Sequence, residues 1–163
     1  MKTSVSIDPA KVLSDWRLLL AFGFGSGLAP RAPGTFGTLV AVPIAWLLHL
    51  LPLSGYWVVT VALFVLGVWL CDYAARQLGV HDHSGIVWDE VVGYLIACAF
   101  VDVSWLGFLF AFVLFRFFDI VKPWPISVVD RKVAGGFGIM LDDVLAGLAA
   151  AAVLKLGYVL VTP

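Results

Sequence analysis

Charge is what this chain has least of. Of its 163 residues only 13% are Asp, Glu, Lys or Arg, where a soluble domain carries about 25%, and 62% are hydrophobic at a mean hydropathy of +1.03. That shortage excludes an ordinary water-soluble globule and points to a membrane protein. Ten Lys and Arg against eleven Asp and Glu leave a formal charge of −1, so the basic surplus that a nucleic-acid partner requires is missing. Cysteine is scarce as well. Cys71 and Cys98 both fall in apolar runs, where a small buried hydrophobe is the expected role rather than a disulfide or metal pair. The N-terminus lacks a compact apolar core followed by a small-residue cleavage site and carries Asp8 and Asp15 among its basic residues, so no removable signal peptide is expected. The length suits one domain, with room for about four to six spans of about 20 residues. No internal repeat is discernible.

The apolar pattern predicts an all-α fold, a polytopic membrane helical bundle of about five spans with a short N-terminal re-entrant or interfacial segment. Residues 1–17 are polar and read as a cytoplasmic segment, and residues 18–163 as one membrane-embedded domain. The stretch 18–28 is apolar but too short to cross and is broken by Gly23, Gly25 and Gly27, which makes it the re-entrant or interfacial piece. Spans are expected over 36–53, bent at Pro43, then 56–71, 86–101, 105–121 and 144–161. The long polar connection runs from Lys122 to Asp142. Alternating these spans gathers Lys2, Lys11, Arg17, Arg31, Arg76, Arg116, Lys122, Arg131 and Lys132 on one side and leaves Lys155 on the other. By the positive-inside rule the first side is cytoplasmic, with the N-terminus inside and the C-terminus outside. Asp72, Asp82, Asp89, Glu90, Asp119, Asp130, Asp142 and Asp143 fall in the same layer, and only Asp102 lies on the outer side.

Glu90 and Asp143 sit near the inner ends of different spans and Asp119 ends a third, so helix packing can bring several carboxylates together. Desolvated carboxylates repel one another unless a cation or a proton compensates. Mg²⁺ takes one or two carboxylates plus water and phosphate oxygens, which suits this all-oxygen set better than zinc. His81-Asp82-His83 keeps zinc as a minority reading, since neighbouring histidines without a thiolate fit loop or supporting roles better. Arg116, Asp119 and Lys122 follow at intervals of three, a spacing that holds a phosphate and a metal side by side at one helix end. Arg131 lies beside Asp130. Singly, each of these reads as a snorkelling charge or an i,i+3 pair, but eight acids and several bases on one face weaken that account for the set.

Two glycine-rich stretches, Gly23 to Gly27 with Gly34-Thr35-Phe36-Gly37, and Gly135-Gly136-Phe137-Gly138, precede helices on the same side. Backbone N–H groups there favour an anion, although glycines serve close helix packing equally well. Covalent phosphatase patterns are missing. Cys71 and Arg76 are one residue too close for a phosphocysteine loop, and neither Asp-x-Asp nor Ser-Gly-His nor Asp-Gly-x2-Ala-Arg occurs. Metal-assisted attack by water remains. A small transporter is the rival from another class, but such sites usually lie at the midplane between inverted repeats. A non-catalytic scaffold leaves the gathered acids, bases and glycines unexplained.

The segments Phe22-Gly-Phe-Gly-Ser-Gly-Leu-Ala-Pro30, Ala32-Pro-Gly-Thr-Phe-Gly-Thr38, Gly79-Val-His-Asp-His83, Ile86-Val-Trp-Asp-Glu90, Phe115-Arg-Phe-Phe-Asp119, Lys122-Pro-Trp-Pro125, Asp130-Arg131 and Gly135-Gly-Phe-Gly-Ile-Met-Leu-Asp-Asp143 extend over nearly the whole chain. Together they resemble the phosphatidylglycerophosphatase A family, with Thr38 a conservative change where Ser is usual. The resemblance implies a multi-pass, Mg²⁺-dependent phosphatase of the bacterial inner membrane. Its active site would face the cytoplasm and convert the phospholipid phosphatidylglycerophosphate to phosphatidylglycerol in phospholipid biosynthesis. The residues themselves reach only a phosphate and a hard metal, so a phosphatase of another lipid or isoprenoid phosphate stays open. In the family reading Glu90, Asp142 and Asp143 are the expected metal ligands, and Asp89 and Asp119 a ligand or the base for the attacking water. Arg116, Lys122 and Arg131 hold the phosphate, while Ser26, Thr35, His81, Asp82, His83 and Asp130 are supporting or loop positions. Adjacent acids on a helix point about 100° apart, so one of each pair is expected to bind the metal directly.

Overall fold

The computed structural model of the chain describes residues 7–80 and 82–161, and their regular structure is wholly helical. Two short helices, α1 (Pro9–Ser14) and α2 (Trp16–Ala21), are capped by Asp8 and Asp15, whose side chains accept from the backbone N–H groups of Ala10 and Arg17. A 3-10 turn (Ser26–Leu28) leads into α3 (Pro33–Leu48) and α4 (Leu53–Leu78). The remainder comprises α5 (Trp88–Cys98), α6 (Trp105–Val121), α7 (Ile126–Lys132) and α8 (Gly135–Val161).

The bundle is built around α5, whose 11 residues are all buried. Beyond Asp89 and Glu90 this helix is apolar on every face, so it requires neighbours all round, and α3, α4, α6 and α8 supply them. At about 16 Å it covers roughly half of a 30 Å hydrocarbon core. The stretch 86–101 therefore holds a half-length helix enclosed by protein, not a free-standing span. Tyr56 Oη donates to the Leu95 carbonyl at 2.7 Å, Tyr94 Oη to Phe108 at 2.9 Å and Trp88 Nε1 to Leu63 at 3.1 Å, tying α5 to α4 and α6.

Helix α8 crosses α5 at backbone distance. A Cβ on Gly93 would stand 2.8 Å from the Asp143 carbonyl oxygen and 2.6 Å from the Phe115 ring, and one on Gly147 would collide with the Gly93 carbonyl. Small residues at such a crossing let two backbones approach as larger side chains would not, and here the approach carries Asp143 to the first turn of α5. The start of α8 also departs from the hydropathy pattern. It begins at Gly135, more than two turns before the expected span at 144–161, because Gly136 seats against the α4 backbone at Val68 and Asp72 and Gly135 turns the chain with a φ of 75°. Gly135 to Gly138 is thus the first turn of a helix and not a loop ahead of one, and Asp142 and Asp143 lie inside it.

Two helices, Leu53–Leu78 and Gly135–Leu160, are long and apolar enough to cross a membrane, and Pro33–Leu48 is a shorter apolar helix that continues through Pro43. Their outward faces expose Val58, Val61 and Val65 on α4 and Leu148, Leu156 and Leu160 on α8, a surface suited to lipid. Both long helices are consistent with a membrane-associated protein. Segment 18–28 forms no crossing helix; Val87 N–H donates to the Ala21 carbonyl at 2.9 Å, and Trp16 packs on Trp69 with ring centroids 5.9 Å apart. At that edge Arg17 and Tyr73 hydrogen-bond the Asp15 carboxylate and hold its pKa down to about 2. Cys71 and Cys98 are buried and in no disulfide among the described residues, Cys71 lying 3.7 Å from the Met140 sulfur.

Because no space exists at the α5–α8 crossing, Gly147→Val should lower stability in detergent by about 1–3 kcal/mol, the usual range for overpacking. Gly157, with nothing within 4 Å of an added Cβ, should accept Ala with no loss. Thermal unfolding of the two variants, with equal melting for both as the contrary result, checks the crossing.

Candidate active site

The acids expected to share one layer converge at one end of the bundle. The first turn of α5 contributes Asp89 and Glu90, the last turn of α6 Arg116 and Asp119, and α8 Asp142 and Asp143. One carboxylate oxygen from each of Asp89, Glu90 and Asp143 lies within 4.8 Å of the other two. All three are buried, as are Asp119 and Asp142. Asp89 and Glu90 stand where the α5 N-terminus favours negative charge.

Two half-buried cations face these five acids. Arg116 Nη1 lies 2.5 Å from Asp119 Oδ2 and 3.7 Å from Glu90 Oε1, so one guanidinium bridges α6 to α5. Lys122 Nζ pairs with Asp130 Oδ1 at 2.7 Å and with Asp142 Oδ2. Lys122 holds a left-handed backbone, with φ 46°, which ends α6 while its N–H donates to the Phe118 carbonyl at 2.9 Å. That conformation costs a non-glycine residue roughly 1–2 kcal/mol, and the two carboxylates that converge on the ammonium hold it in place. Burial alone would pull the Lys122 ammonium down in pKa, but Asp142 and Asp130 more than offset it and raise it above the ordinary lysine value. Asp130 moves the other way, since Lys122 outweighs its partial burial and lowers it.

Five buried carboxylates against two cations leave an excess of negative charge that these side chains do not neutralise. Asp143 Oδ2 is buried with no hydrogen-bond partner among the described residues. A hard divalent cation fits such an oxygen-only set. The adjacent acids divide unequally: Asp142 turns to Lys122 while Asp143 joins the cluster, whereas Asp89 and Glu90 both reach it. Asp142, expected among the metal ligands, is therefore placed as the partner of Lys122, and Asp89 stands among the three.

Above the cluster lies a cavity of about 930 Å³, with Glu90, Arg116 and Asp119 at its base, Lys122 and Asp130 on its wall and Arg131 and Lys132 at its exposed mouth. It is large enough for a lipid head group. Gly34 forms part of the wall. Any Cβ there would collide with the Glu90 carboxylate and stand 3.0 Å from Arg116 Nη1, and Thr38 Oγ1 steadies the turn by donating to the Gly34 carbonyl at 2.8 Å. Gly34, Thr38, Ser84 and Lys132 were not among the expected site residues; the glycine stretch at 34–37 was the one signal for the first of them.

Other expected residues lie elsewhere. Ser26 and Thr35 do not line this cavity; Ser26 Oγ donates to the Phe22 carbonyl at 3.5 Å. Gly23, Gly27 and Gly37 pack against the 85–87 segment, which is close packing and not a phosphate cradle. His83 accepts from Gly85 N–H at 2.9 Å and stacks on Phe22, so it fastens the loop that carries Asp82. His81 lies outside the described residues. Among the described residues no histidine joins the three-acid cluster, a donor set that suits a hard cation better than zinc.

Comparison with known proteins shows the family. The family model for phosphatidylglycerophosphatase A matches residues 19–158. The chain is 46% identical over 145 residues to the phosphatidylglycerophosphatase A of Escherichia coli K12, covering 88% of this chain and 84% of that protein. It is 50% identical over 134 residues to that of Haemophilus influenzae, covering 81% and 82%. A Bacteroides thetaiotaomicron protein provisionally named a phosphatidylinositol-3-phosphatase is 42% identical over 140 residues, covering 80% and 86%. No solved structure matches.

Removing Lys122 would leave the buried Asp142 carboxylate uncompensated, so Lys122→Met should cost roughly 3 kcal/mol at neutral pH. The contribution of a raised lysine is lost as pH rises through its folded pKa, and that of a lowered aspartate as pH falls through its own. The stability gap between wild type and variant should therefore stay flat across neutral pH and shrink at both extremes. Denaturant unfolding across pH reads it, and a gap near zero at neutral pH contradicts the pairing.

Proposed function

The chain belongs to the phosphatidylglycerophosphatase A family, and from that premise we propose that it hydrolyses phosphatidylglycerophosphate with Mg²⁺ held by Asp89, Glu90 and Asp143. The observation that carries this reading is the buried three-carboxylate cluster, which reaches through Glu90 into a cavity also lined by Arg116, Lys122 and Arg131. Bound Mg²⁺ would acidify a water and offset phosphoryl charge. The protein's own groups do the rest. Arg116, poised between Asp119 and Glu90, turns its guanidinium fork to the phosphate oxygens, and Lys122 and Arg131 steady the group from the mouth. Asp119 takes the proton of the attacking water as the new O–P bond forms. The P–O bond to glycerol breaks, and the departing glycerol oxygen takes that proton from Asp119. Asp142 keeps Lys122 in place.

In this reading the chain is a multi-pass protein of the bacterial inner membrane with its site on the cytoplasmic side. Trp105 and Trp124, 74% and 81% exposed, flank α6 about 26 Å apart and mark the two interfaces. Helices α3, α4, α6 and α8 cross, and α5 with the 99–104 connection makes the remaining passage, its backbone enclosed by protein where lipid would leave it exposed. Nearly all of the lysines and arginines then lie on the side of the site. A different lipid phosphate is the second reading, favoured by the 42% identity to the Bacteroides protein.

Phosphate release from phosphatidylglycerophosphate in detergent micelles tests the assignment. Wild-type turnover should require Mg²⁺ and stop with chelator. Glu90→Gln, Asp143→Asn and Arg116→Ala should each lower kcat on the order of 100-fold in folded protein, as loss of one charge-stabilising group does. Unchanged Mg²⁺ dependence in Glu90→Gln would remove that residue from the ligand set, and normal turnover of Arg116→Ala would return it to the status of a topology charge. No release by folded wild type would sink this substrate.

A further inference from the structure

We infer that the exposed face of α6 from Val113 to Ile120 is the track along which an acyl chain of the lipid substrate lies, with Ile120 as the sill where the track meets the active-site cavity. This rests on the lipid-phosphatase reading. Such a substrate must bring its phosphate to Arg116 while its chains stay in hydrocarbon, so the cavity needs a side opening to lipid. Among the described residues lining that cavity, Ile120 is the one large hydrophobic that is also exposed, at 69%.

Ile120 stands one turn beyond Arg116 on α6, so the guanidinium and the apolar sill share one helix face. Val113, Phe117 and Ile120 follow at intervals of four and three, and all three are exposed. They form a stripe along α6 toward the cavity rim. With the exposed Trp124 just past the helix end at the interface, Ile120 lies in the last turn of α6, near the depth where a phospholipid's glycerol gives way to its chains. The mouth beside it carries Lys122, Arg131 and Lys132, counter-charges for an anionic head group.

The other surfaces do not meet both demands. The exposed stripe of Val58, Val61 and Val65 on α4 reaches no wall of this cavity. A neighbouring cavity of about 600 Å³ shares Pro33 and Ser84 with the first, but its lining includes no lysine or arginine. A third, of about 500 Å³ between α6 and α8, lies at the opposite end beside Phe100 and Asp102.

The test compares Phe117→Gln and Ile120→Gln with Val61→Gln, a matched polar change on a lipid-facing residue of α4. In mixed micelles the two α6 variants should raise KM for phosphatidylglycerophosphate on the order of tenfold, about 1.4 kcal/mol of lost binding, with kcat within about twofold. Val61→Gln should change neither. Equal KM for all three folded variants overturns the track. A second measurement does not depend on turnover or on the variants folding. Wild-type protein is irradiated in chelator with phosphatidylglycerophosphate bearing a diazirine on one acyl chain, and the labelled residues are mapped. Labelling concentrated at 113–120 supports the track, and labelling spread equally over 58–69 of α4 overturns it. Absence of wild-type phosphate release would strike the substrate assignment alone, since the labelling still reads where the chain lies.

Discussion

Burying five carboxylates at one end of a small helical bundle is the constraint that the rest of the structure answers to. Each ionised acid removed from water costs several kcal/mol unless a partner compensates. Arg116 answers for Asp119 and Glu90, and Lys122 for Asp142 and Asp130. Asp89, Glu90 and Asp143 still converge as a cluster whose mutual repulsion a metal would relieve. The same imbalance is what would give the site affinity for a cation and, through it, for a phosphate.

The helices are arranged to hold that imbalance in place. An 11-residue helix, too short to cross by itself, is enclosed by four neighbours, so its polar first turn sits inside protein. Gly93 and Gly147 let α8 lie directly on it, which sets Asp143 beside Asp89 and Glu90. Gly34 lets the first turn of α3 close over Glu90 and Arg116 from the other side. The glycines of this chain therefore bear on chemistry through packing, because they determine how near the carboxylate-bearing backbones can come.

Access follows from the same geometry. The acids lie beside a cavity whose mouth is cationic and whose side is bounded by α6, the helix that also exposes Phe117 and Ile120. A head group and a hydrocarbon chain can then be bound by one helix, charges on one face and apolar side chains on the adjoining one. Relatives whose names assign them different lipid phosphates are compatible with such a site, since the proposed roles of the cluster and the cations address a phosphate monoester and not the rest of the head group.

Much of this was legible in the residues alone. Scarce charge and long apolar runs made a membrane-associated helical protein, because hydrophobic content decides the solvent a chain can occupy. The alternation of runs placed the acids and bases in one layer, and the oxygen-only donors implied a hard metal, since both follow from residue type and order. Other features depended on tertiary contacts. That α5 is half a span, that α8 starts at Gly135, and that Asp142 turns to Lys122 while Asp143 joins Asp89 and Glu90 could not be read from hydropathy, which averages over a window and carries no direction. Backbone approach at Gly93, Gly136 and Gly147 decides those points. Such approach is a relation between residues far apart in the chain, so only the folded arrangement of the helices determines which carboxylates meet.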